Sequence, residues 1–213
     1  MKTNDGIEYV TDEFGVIHQV NPQPYKYDAS YVDIYRAPEY AGGRYKLMGI
    51  RMAMTHTLYL LNMNSEPISL MDIGYGDGSF LEEIKGTIPN RYGYDITGEE
   101  LPEGCKPGNI LDPMDIITMW DVFEHIHDLS FIGDIKAKMV CMSMPDVTNK
   151  DFENWKHRKP DEHVHHFTPE SLEKLMLSYD WKMIHTCHLE DNVRKGDYQN
   201  IMTSFFIKSH IQL

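Results

Sequence analysis

The sequence predicts an α/β protein, in which a mostly parallel sheet is covered by helices on both faces as a three-layer αβα sandwich. Short uninterrupted apolar runs, such as 68–71, 116–120 and 139–144, are typical of strands buried on both faces. Helical patterns lie between and after these runs, as parallel connections require. Two β-rich runs, 181–187 and 201–207, flank a polar loop and predict an antiparallel pair at one edge of the sheet.

Composition narrows the possible functions of the chain. Its 213 residues carry a net charge of −13, which disfavours a nucleic-acid backbone or an anionic membrane as a partner. No run of 18 apolar residues occurs, and the first six residues lack the apolar core of a signal peptide, so we expect a cytoplasmic protein. The three cysteines form no CxxC pair, which disfavours a zinc site built on them.

The chain divides into an N-terminal arm, 1–43, and a main domain, 44–213. The arm is rich in Tyr, Pro, Asp and Gly, which predicts an irregular arm or cap. An arm without a core of its own must dock on the rest of the molecule, so its tyrosines predict a lid over a functional site, with ordinary surface packing as the alternative. These tyrosines are Tyr25, Tyr27, Tyr31, Tyr35 and Tyr40.

Four segments have helical patterns. The first, 44–62, repeats apolar residues at spacings of three and four, which predicts an amphipathic helix. Its predicted buried face consists of Leu47, Ile50, Met54, Leu58 and Leu61. The others are 79–85, 125–137 and 169–179, and the last has Thr168 placed to cap it and Pro169 at its first position.

A glycine-rich loop, 74–78, follows the first predicted strand and precedes a predicted helix. Its three alternating glycines allow a sharp turn and a close approach to a ligand. A dinucleotide site requires G-x-G-x-x-G, but here the third glycine comes one residue early and Ser79 takes its place. Asp72 and Asp77 would also repel a pyrophosphate, so the loop favours a cofactor without phosphate.

A second carboxylate supports this interpretation. The next predicted strand, 91–95, ends at Asp95, which lies 23 residues after Asp72. An acid about 20 residues after such a loop is placed to bind the hydroxyls of a ribose. A phosphate-free adenosine joined to an amino acid, S-adenosylmethionine, meets both conditions.

At these residues the chain resembles the Rossmann-like, class I S-adenosylmethionine-dependent methyltransferases. Residues 72–78 are similar to the family's D-x-G-x-G-x-G motif, and Asp95 is similar to its ribose-binding acid. Residues 115–125, with the Glu124-His125 pair, resemble the fourth-strand segment of the small-molecule branch, as does Glu162-His163 before Phe167-Thr168. The resemblance runs from residue 68 to the C-terminus and implies a seven-stranded sheet with an antiparallel last strand.

The resemblance also implies which residues bind the cofactor: Asp72, Gly74, Tyr75, Gly76, Gly78, Asp95, Ile96, Asn109, Trp120 and Asp121. Two features depart from the family pattern. Pro102 and Pro107 predict that the usual second helix is short or missing, and Asn109 stands where an acid often contacts adenine. Asp77 is equally compatible with a role at the start of the next helix.

Methyl transfer to a small-molecule acceptor, with S-adenosylhomocysteine as the product, is the predicted function. The acceptor atom (oxygen, nitrogen or carbon) and the oligomeric state stay open. For a hydroxyl acceptor, His125 and His163 are the candidate catalytic bases, since neutral imidazole accepts a proton near pH 7. The alternative is that Glu124 starts a helix and His125 packs beneath the loop. An NAD-dependent oxidoreductase and a non-catalytic relative that binds S-adenosylmethionine are the competing functions.

Two further clusters carry weaker predictions. His163, His165 and His166 lie beside Asp161 and Glu162, but a metal site usually draws ligands from separate segments and no second cluster is evident. We therefore expect no metal. The basic run 155–159 predicts a solvated loop, or else a contact with an anionic acceptor.

Overall fold

A computed structural model describes the backbone of residues 1–36, 38–194 and 200–209, and the side chains at 29, 34, 35 and 38–43 are not described. Within these residues, ten strands and four α-helices follow in chain order: β1 (Tyr9–Thr11), β2 (Ile17–Gln19), α1 (Ala29–Arg36), α2 (Pro38–Met63), β3 (Ser69–Ile73), α3 (Ser79–Glu83), β4 (Asn90–Tyr94), β5 (Cys105–Pro107), β6 (Met114–Trp120), β7 (Ala137–Pro145), β8 (His165–His166), α4 (Pro169–Ser178), β9 (Trp181–Cys187) and β10 (Ile201–Lys208). None of the described helices combines the length and apolar character needed to cross a bilayer.

Seven strands form the main sheet, in the order β5-β4-β3-β6-β7-β10-β9. The strands from β5 to β7 are parallel to one another, whereas β10 is antiparallel to both of its neighbours. This arrangement confirms the predicted seven-stranded sheet with a reversed last strand. In its register, Asp72 of β3 lies opposite Gly93 of β4 and Thr118 of β6.

Two apolar layers cover the sheet, which confirms the predicted sandwich. On one face, alternate residues of the central strands pack against Leu172 and Met176 of α4. On the other face, the intervening strand residues pack against Met48 and Tyr59 of α2 and Phe80 of α3. The carboxyl ends of β3, β4 and β6 meet at one edge, where open α/β sheets bind their ligands.

The first long helix differs from its prediction in extent and in orientation. It begins at Pro38 and not at Arg44, so the predicted end of the arm lies inside α2. Its fully buried positions are Met48, Arg51, Thr55 and Tyr59, whereas Leu61 of the predicted face is 75% exposed. Leu47, Met54 and Leu58 of the predicted face do pack against the core, but they are only partly buried. The deeply buried stripe is rotated by about one residue, which brings Arg51 and Thr55 inside.

The predicted helix at 125–137 is wrong. Two short 3₁₀ turns, Phe123–His125 and Leu129–Gly133, lie there. The Asp128 side chain accepts a hydrogen bond from the backbone N–H of Ser130, and this local bond starts a new turn where a longer helix would have continued.

The other helical predictions are confirmed in outline. The segment 79–85 forms α3 followed by a 3₁₀ turn at Ile84–Gly86. Residues 97–108 contain no helix, as the two prolines predicted. In α4, the Thr168 hydroxyl accepts from the backbone N–H of Ser171 and completes a capping box.

The N-terminal arm is less irregular than predicted. Strands β1 and β2 form an antiparallel pair, and β2 pairs with β8 in a separate three-stranded sheet. Tyr9 is 1% exposed and Val16 is fully buried, so the arm contributes to the core. The side chains of Tyr35 and Tyr40 lie outside the described part of the chain.

Candidate active site

The glycine-rich loop joins the end of β3 to the start of α3. Gly74 has a φ of +71°, and a Cβ added there would lie 2.4 Å from Val122 Cγ2, so a side chain would break the packing of the loop. Gly76 has a φ of +55°, yet no atom lies within 4 Å of the position of its missing Cβ. The loop is therefore closely packed at Gly74 and has open space for a ligand at Gly76.

Asp95, directly after β4, is hydrogen-bonded to this loop. Its Oδ2 accepts from the backbone N–H of Gly76 at 2.8 Å, and its Oδ1 accepts from the N–H of Thr97 at 2.7 Å. Each carboxylate oxygen can accept a further hydrogen bond, so Asp95 can still bind two hydroxyl groups. The structure thus brings together the two parts of the predicted cofactor site.

Asp72 lies beneath the loop. It is 2% exposed, and the hydroxyl of Thr118 donates a hydrogen bond of 2.5 Å to its Oδ1. Burial raises the pKa of this carboxyl to about 7, against a smaller lowering by the Thr118 hydroxyl. Its position under the loop supports the turn from within.

The remaining predicted cofactor residues surround the loop. The Tyr75 hydroxyl donates to the carbonyl of Glu99 at 2.5 Å, and Gly78 is the last glycine before α3, with a φ of +76°. Ile96 is 68% exposed. Asn109 is exposed too, and its side-chain oxygen accepts from the backbone N–H of Leu111 at 3.0 Å.

Asp77 forms an ion pair with Arg44 of α2 and accepts a hydrogen bond from the backbone N–H of Ser79. These contacts place it at the start of α3. They match the structural alternative that the sequence left open for this residue.

Trp120 and Asp121, at the end of β6, lie against a buried ionic network that the sequence analysis missed. Arg51 donates to Asp121 at 2.9 Å and to both oxygens of Glu190 at 3.0 Å, and Arg194 donates to the same two acids. The Arg51 guanidinium also lies 4.8 Å from the centroid of the Trp120 ring. An arginine between core positions of an amphipathic helix was the available indication in the sequence.

The network keeps its acids ionised. Burial alone would raise the pKa of Asp121, but the guanidiniums of Arg194 and Arg51 outweigh burial and hold it below its usual value. Arg51 and Arg194 likewise lower the pKa of the buried Glu190. Asp121 has a φ of +56°, so both its backbone and its carboxylate are held in place at the carboxyl edge of the sheet.

Three further side chains meet just beyond β6: Glu124, His125 and His163. Their potential ligand atoms lie within 4.8 Å of one another, although His163 comes 38 positions after His125 in the sequence. Burial lowers the pKa of His125 to about 4 and that of His163 to about 2, so both imidazoles are neutral at pH 7. Burial, followed by the charge of Asp121, raises the pKa of Glu124 well above its usual value.

The arm contacts this group directly. The Tyr27 hydroxyl lies 2.7 Å from His125 Nδ1, and the rings of the two residues meet edge to face. Tyr31 donates to Glu162 at 3.4 Å, and its ring contacts that of Tyr27. The arm therefore lies over the candidate catalytic histidines.

Of the other clustered residues, His165, Arg158 and Lys159 have side-chain partners, whereas His166 Nε2 is buried without one among the described residues. His165 Nδ1 lies 2.8 Å from His18 Nδ1, and His166 is buried in the same small sheet. In the basic run, Arg158 pairs with Asp5 at 2.8 Å and Lys159 pairs with Glu162 at 2.9 Å.

Two surface pockets of about 290 Å³ each lie away from the glycine-rich loop. One is lined by α2 and β9, and the other lies beside the N-terminal strands. The candidate cofactor site therefore rests on the geometry of the loop and of Asp95, and neither pocket marks it.

Comparison with solved structures shows the fold. A methyltransferase from Clostridium acetobutylicum, described as S-adenosylmethionine-dependent, has a TM-score of 0.58 and 12% identity over 84% of this chain and 98% of that chain. The 1,6-didemethyltoxoflavin-N1-methyltransferase of Burkholderia thailandensis has a TM-score of 0.55 and 12% identity over 95% and 99%. The magnesium protoporphyrin IX methyltransferase of Synechocystis has a TM-score of 0.54 and 12% identity over 78% and 84%.

Sequence comparison shows the family. No curated protein matches the chain. Residues 44–186, two thirds of the chain, match the family described as "Methyltransferase domain", and this segment contains the glycine-rich loop, Asp95 and the group of Glu124, His125 and His163. The chain belongs to this family of methyltransferase domains.

Proposed function

We propose that the chain transfers the methyl group of S-adenosylmethionine to a small-molecule acceptor and releases S-adenosylhomocysteine. The hydrogen bond from the Gly76 N–H to Asp95 carries this proposal, because it joins an open glycine turn to a carboxylate with spare acceptor capacity. The similar Synechocystis and Burkholderia structures both contain S-adenosylhomocysteine, and the latter enzyme binds 1,6-didemethyltoxoflavin, a small molecule.

The residues at the loop fit a phosphate-free cofactor. A pyrophosphate at the turn would meet the carboxylate of Asp95, which is bound to the Gly76 N–H. The two other predicted carboxyl groups add less repulsion than expected, because Asp72 is buried and Asp77 is paired with Arg44. The space at Gly76 admits a ligand close to the backbone. Hydroxyl and amine donors suit these acceptors better than phosphate does, and this disfavours the alternative of an NAD-dependent oxidoreductase.

S-adenosylmethionine, when bound, supplies a methyl group activated by a positively charged sulfur. Asp95 would accept hydrogen bonds from the ribose hydroxyls, and the backbone of the glycine-rich loop would hold the amino-acid end. Ile96 and Asn109 are exposed beside this site and would contact the adenine. Trp120 and Asp121 would border the reacting end, where the ionic network keeps the Asp121 carboxylate in place.

The chain's part in the reaction is alignment and, for a hydroxyl acceptor, the removal of a proton. His125 and His163 are the proposed bases for that proton. Their rings are neutral at pH 7, and the burial that lowers the pKa of both also makes them weaker bases than a free imidazole. The tyrosines of the arm would exclude water and shape the acceptor site. The net charge of −13 favours a small acceptor over nucleic acid.

Replacing Asp95 tests the proposal. We expect Asp95→Ala to weaken S-adenosylhomocysteine binding by about 1–3 kcal/mol, roughly 5- to 150-fold, in isothermal titration calorimetry. Asp134→Ala, at an exposed acid distant from the loop, should leave the affinity unchanged. Asp95→Asn, which keeps one oxygen acceptor, should lose less than the alanine variant.

Equal affinities for Asp95→Ala and Asp134→Ala would place the cofactor elsewhere. A fluorescence titration with NADH in the same buffer tests the oxidoreductase alternative, for which saturable binding would be the supporting result. Tight S-adenosylhomocysteine binding without methyl transfer to any acceptor would favour a non-catalytic relative.

A further inference from the structure

Glu124, His125 and His163 form a compact group from two separate segments of the chain. Glu124 and His125 belong to the turn after β6, and His163 precedes β8. The rings of His125 and His163 meet edge to face with their centroids 4.6 Å apart. Among the described residues, these are the three whose potential metal-ligand atoms the fold brings within 4.8 Å of one another.

A backbone carbonyl lies beside Nδ1 of each histidine. His125 Nδ1 lies 2.8 Å from the carbonyl oxygen of Glu162, and His163 Nδ1 lies 2.8 Å from that of His157. A carbonyl oxygen only accepts hydrogen bonds, so His163 Nδ1 carries the proton. His125 Nδ1 carries it in the arrangement in which the Tyr27 hydroxyl, 2.7 Å from this atom, donates to the Glu162 carbonyl at 3.5 Å. Each Nε2 then has an unprotonated lone pair inside the buried group, and a carbonyl behind Nδ1 is the usual support of a metal-binding histidine.

Glu124 supplies an independent indication of a ligand. It is 2% exposed, and neither carboxyl oxygen has a hydrogen-bond partner in the described part of the chain. An unpaired buried polar group costs about 1–3 kcal/mol, more if it is charged, so such groups are rare without a reason. Its Oε1 lies 3.8 Å from His125 Nε2, which directs the carboxyl towards the imidazole lone pairs.

We propose that Glu124, His125 and His163 bind one divalent transition-metal ion through a carboxylate oxygen and two Nε2 atoms. Two imidazoles and one carboxylate are a ligand set that Zn²⁺, Fe²⁺ and related ions accept. Bonds of about 2.0–2.2 Å place tetrahedral ligand atoms roughly 3.4 Å apart, so the side chains need to close by only about 1 Å.

Three protein ligands leave coordination positions open. Glu124 and His125 follow β6 at the carboxyl edge that also carries the glycine-rich loop, so an oxygen of the acceptor could enter an open position. With the ion bound, both Nε2 atoms are occupied, so the ion would lower the pKa of the acceptor's hydroxyl and the two histidines would not act as bases. This use of the ion rests on the proposed function, whereas binding of the ion does not. The substrate class it implies is an acceptor with a hydroxyl or anionic oxygen.

Cobalt binding to the full chain tests the site. Protein treated with EDTA and then dialysed should bind one equivalent of Co²⁺ with a visible d–d absorption band, and calorimetry with Zn²⁺ should give the same stoichiometry. Glu124→Gln and His163→Gln should each weaken binding at least tenfold and remove the band. His56→Gln, which removes a surface histidine paired with Glu66, is the matched control and should retain it.

Circular dichroism would confirm that each variant is folded, and Glu124→Gln keeps the shape of the buried side chain if His163→Gln is unstable. Absence of the band in the parent chain, or its survival in Glu124→Gln, would overturn the site. S-adenosylhomocysteine affinity, measured separately on the same samples, distinguishes this failure from failure of the proposed function. Loss of S-adenosylhomocysteine binding with Co²⁺ binding intact would contradict the proposed function and still support the metal site.

Discussion

The pKa values of two buried carboxyl groups in this molecule are shifted in opposite directions because their neighbours differ. Asp72 and Glu190 are both almost fully buried. Asp72 has a hydroxyl as its hydrogen-bonding partner, whereas Glu190 faces the guanidiniums of Arg51 and Arg194. Burial therefore raises the pKa of Asp72 to about 7, while the two arginines lower the pKa of Glu190. A hydroxyl does not offset the loss of water around a carboxylate, but two cations do.

The raised pKa of Asp72 makes a testable contribution to stability. Between about pH 4 and 7 the folded state holds a proton that the unfolded state has released, so this contribution falls as the pH rises through that window. Asp72→Asn removes the titration. We expect the free energy of unfolding of the variant, relative to the parent, to rise by about 1–1.5 kcal/mol between pH 6 and pH 8 in urea denaturation.

The comparison between variant and parent is informative because other titrating groups are common to both proteins. The buried histidines, whose pKa values are lowered, titrate in each protein and cancel in the difference. A constant difference across this range would show that Asp72 is ionised in the folded state.

At the scale of elements, Arg51 joins α2 to three separate segments at the carboxyl edge of the sheet. Arg51 is 4% exposed and donates to Glu190, Asp121 and the hydroxyl of Ser143. These acceptors come from β7, from the turn after β6 and from the turn after β9. The arginine thereby fixes the position of the helix relative to the candidate active site.

Arg51→Met should destabilise the protein by about 3–5 kcal/mol, because it leaves the buried Glu190 with only one of its two arginine partners. Urea denaturation measures the loss. Lys46→Met, at an exposed position of the same helix, should change stability by less than about 0.5 kcal/mol. If Arg51→Met does not fold, Arg51→Lys, which keeps the charge, should show a smaller loss of stability. A loss of stability in either Arg51 variant that is no larger than that of Lys46→Met would contradict the role of Arg51.

The central strands β3, β6 and β7 were predictable because each contains an apolar run, as burial on both faces of a sheet requires. The short strands β1, β2, β5 and β8 have no such run and were not predicted. The structure of the segment 125–137 was not predictable. Its apolar residues pack from two 3₁₀ turns, and the choice between these turns and a helix depends on a local hydrogen bond at Asp128. The glycine-rich loop and Asp95 follow neighbouring strands, so their proximity was predictable. The approach of His163 to Glu124 was not predictable, because it depends on how the long loop before β8 returns to the edge of the sheet. The sequence analysis therefore predicted that no metal site is present.

For the whole molecule, the question is whether the arm and the main domain unfold together or separately. Val16 is fully buried and belongs to the same apolar cluster as Ile117, Val140 and Phe167. Residues of the predicted arm thus share a core with the sheet. A shared core should make the arm and the sheet unfold together, since neither retains its buried surface without the other.

Val16→Ala tests this expectation. It should lower the free energy of unfolding by about 2 kcal/mol, the cost of removing two buried methyl groups. Val10→Ala is the matched control, because Val10 is 54% exposed and its loss should cost less than about 0.5 kcal/mol. Circular dichroism and tryptophan fluorescence should report one coincident transition in the parent and in both variants. A separate early transition, shifted by Val16→Ala while the main one stays in place, would instead show that the arm unfolds independently and that its lid-like contact with His125 is made by an autonomous segment.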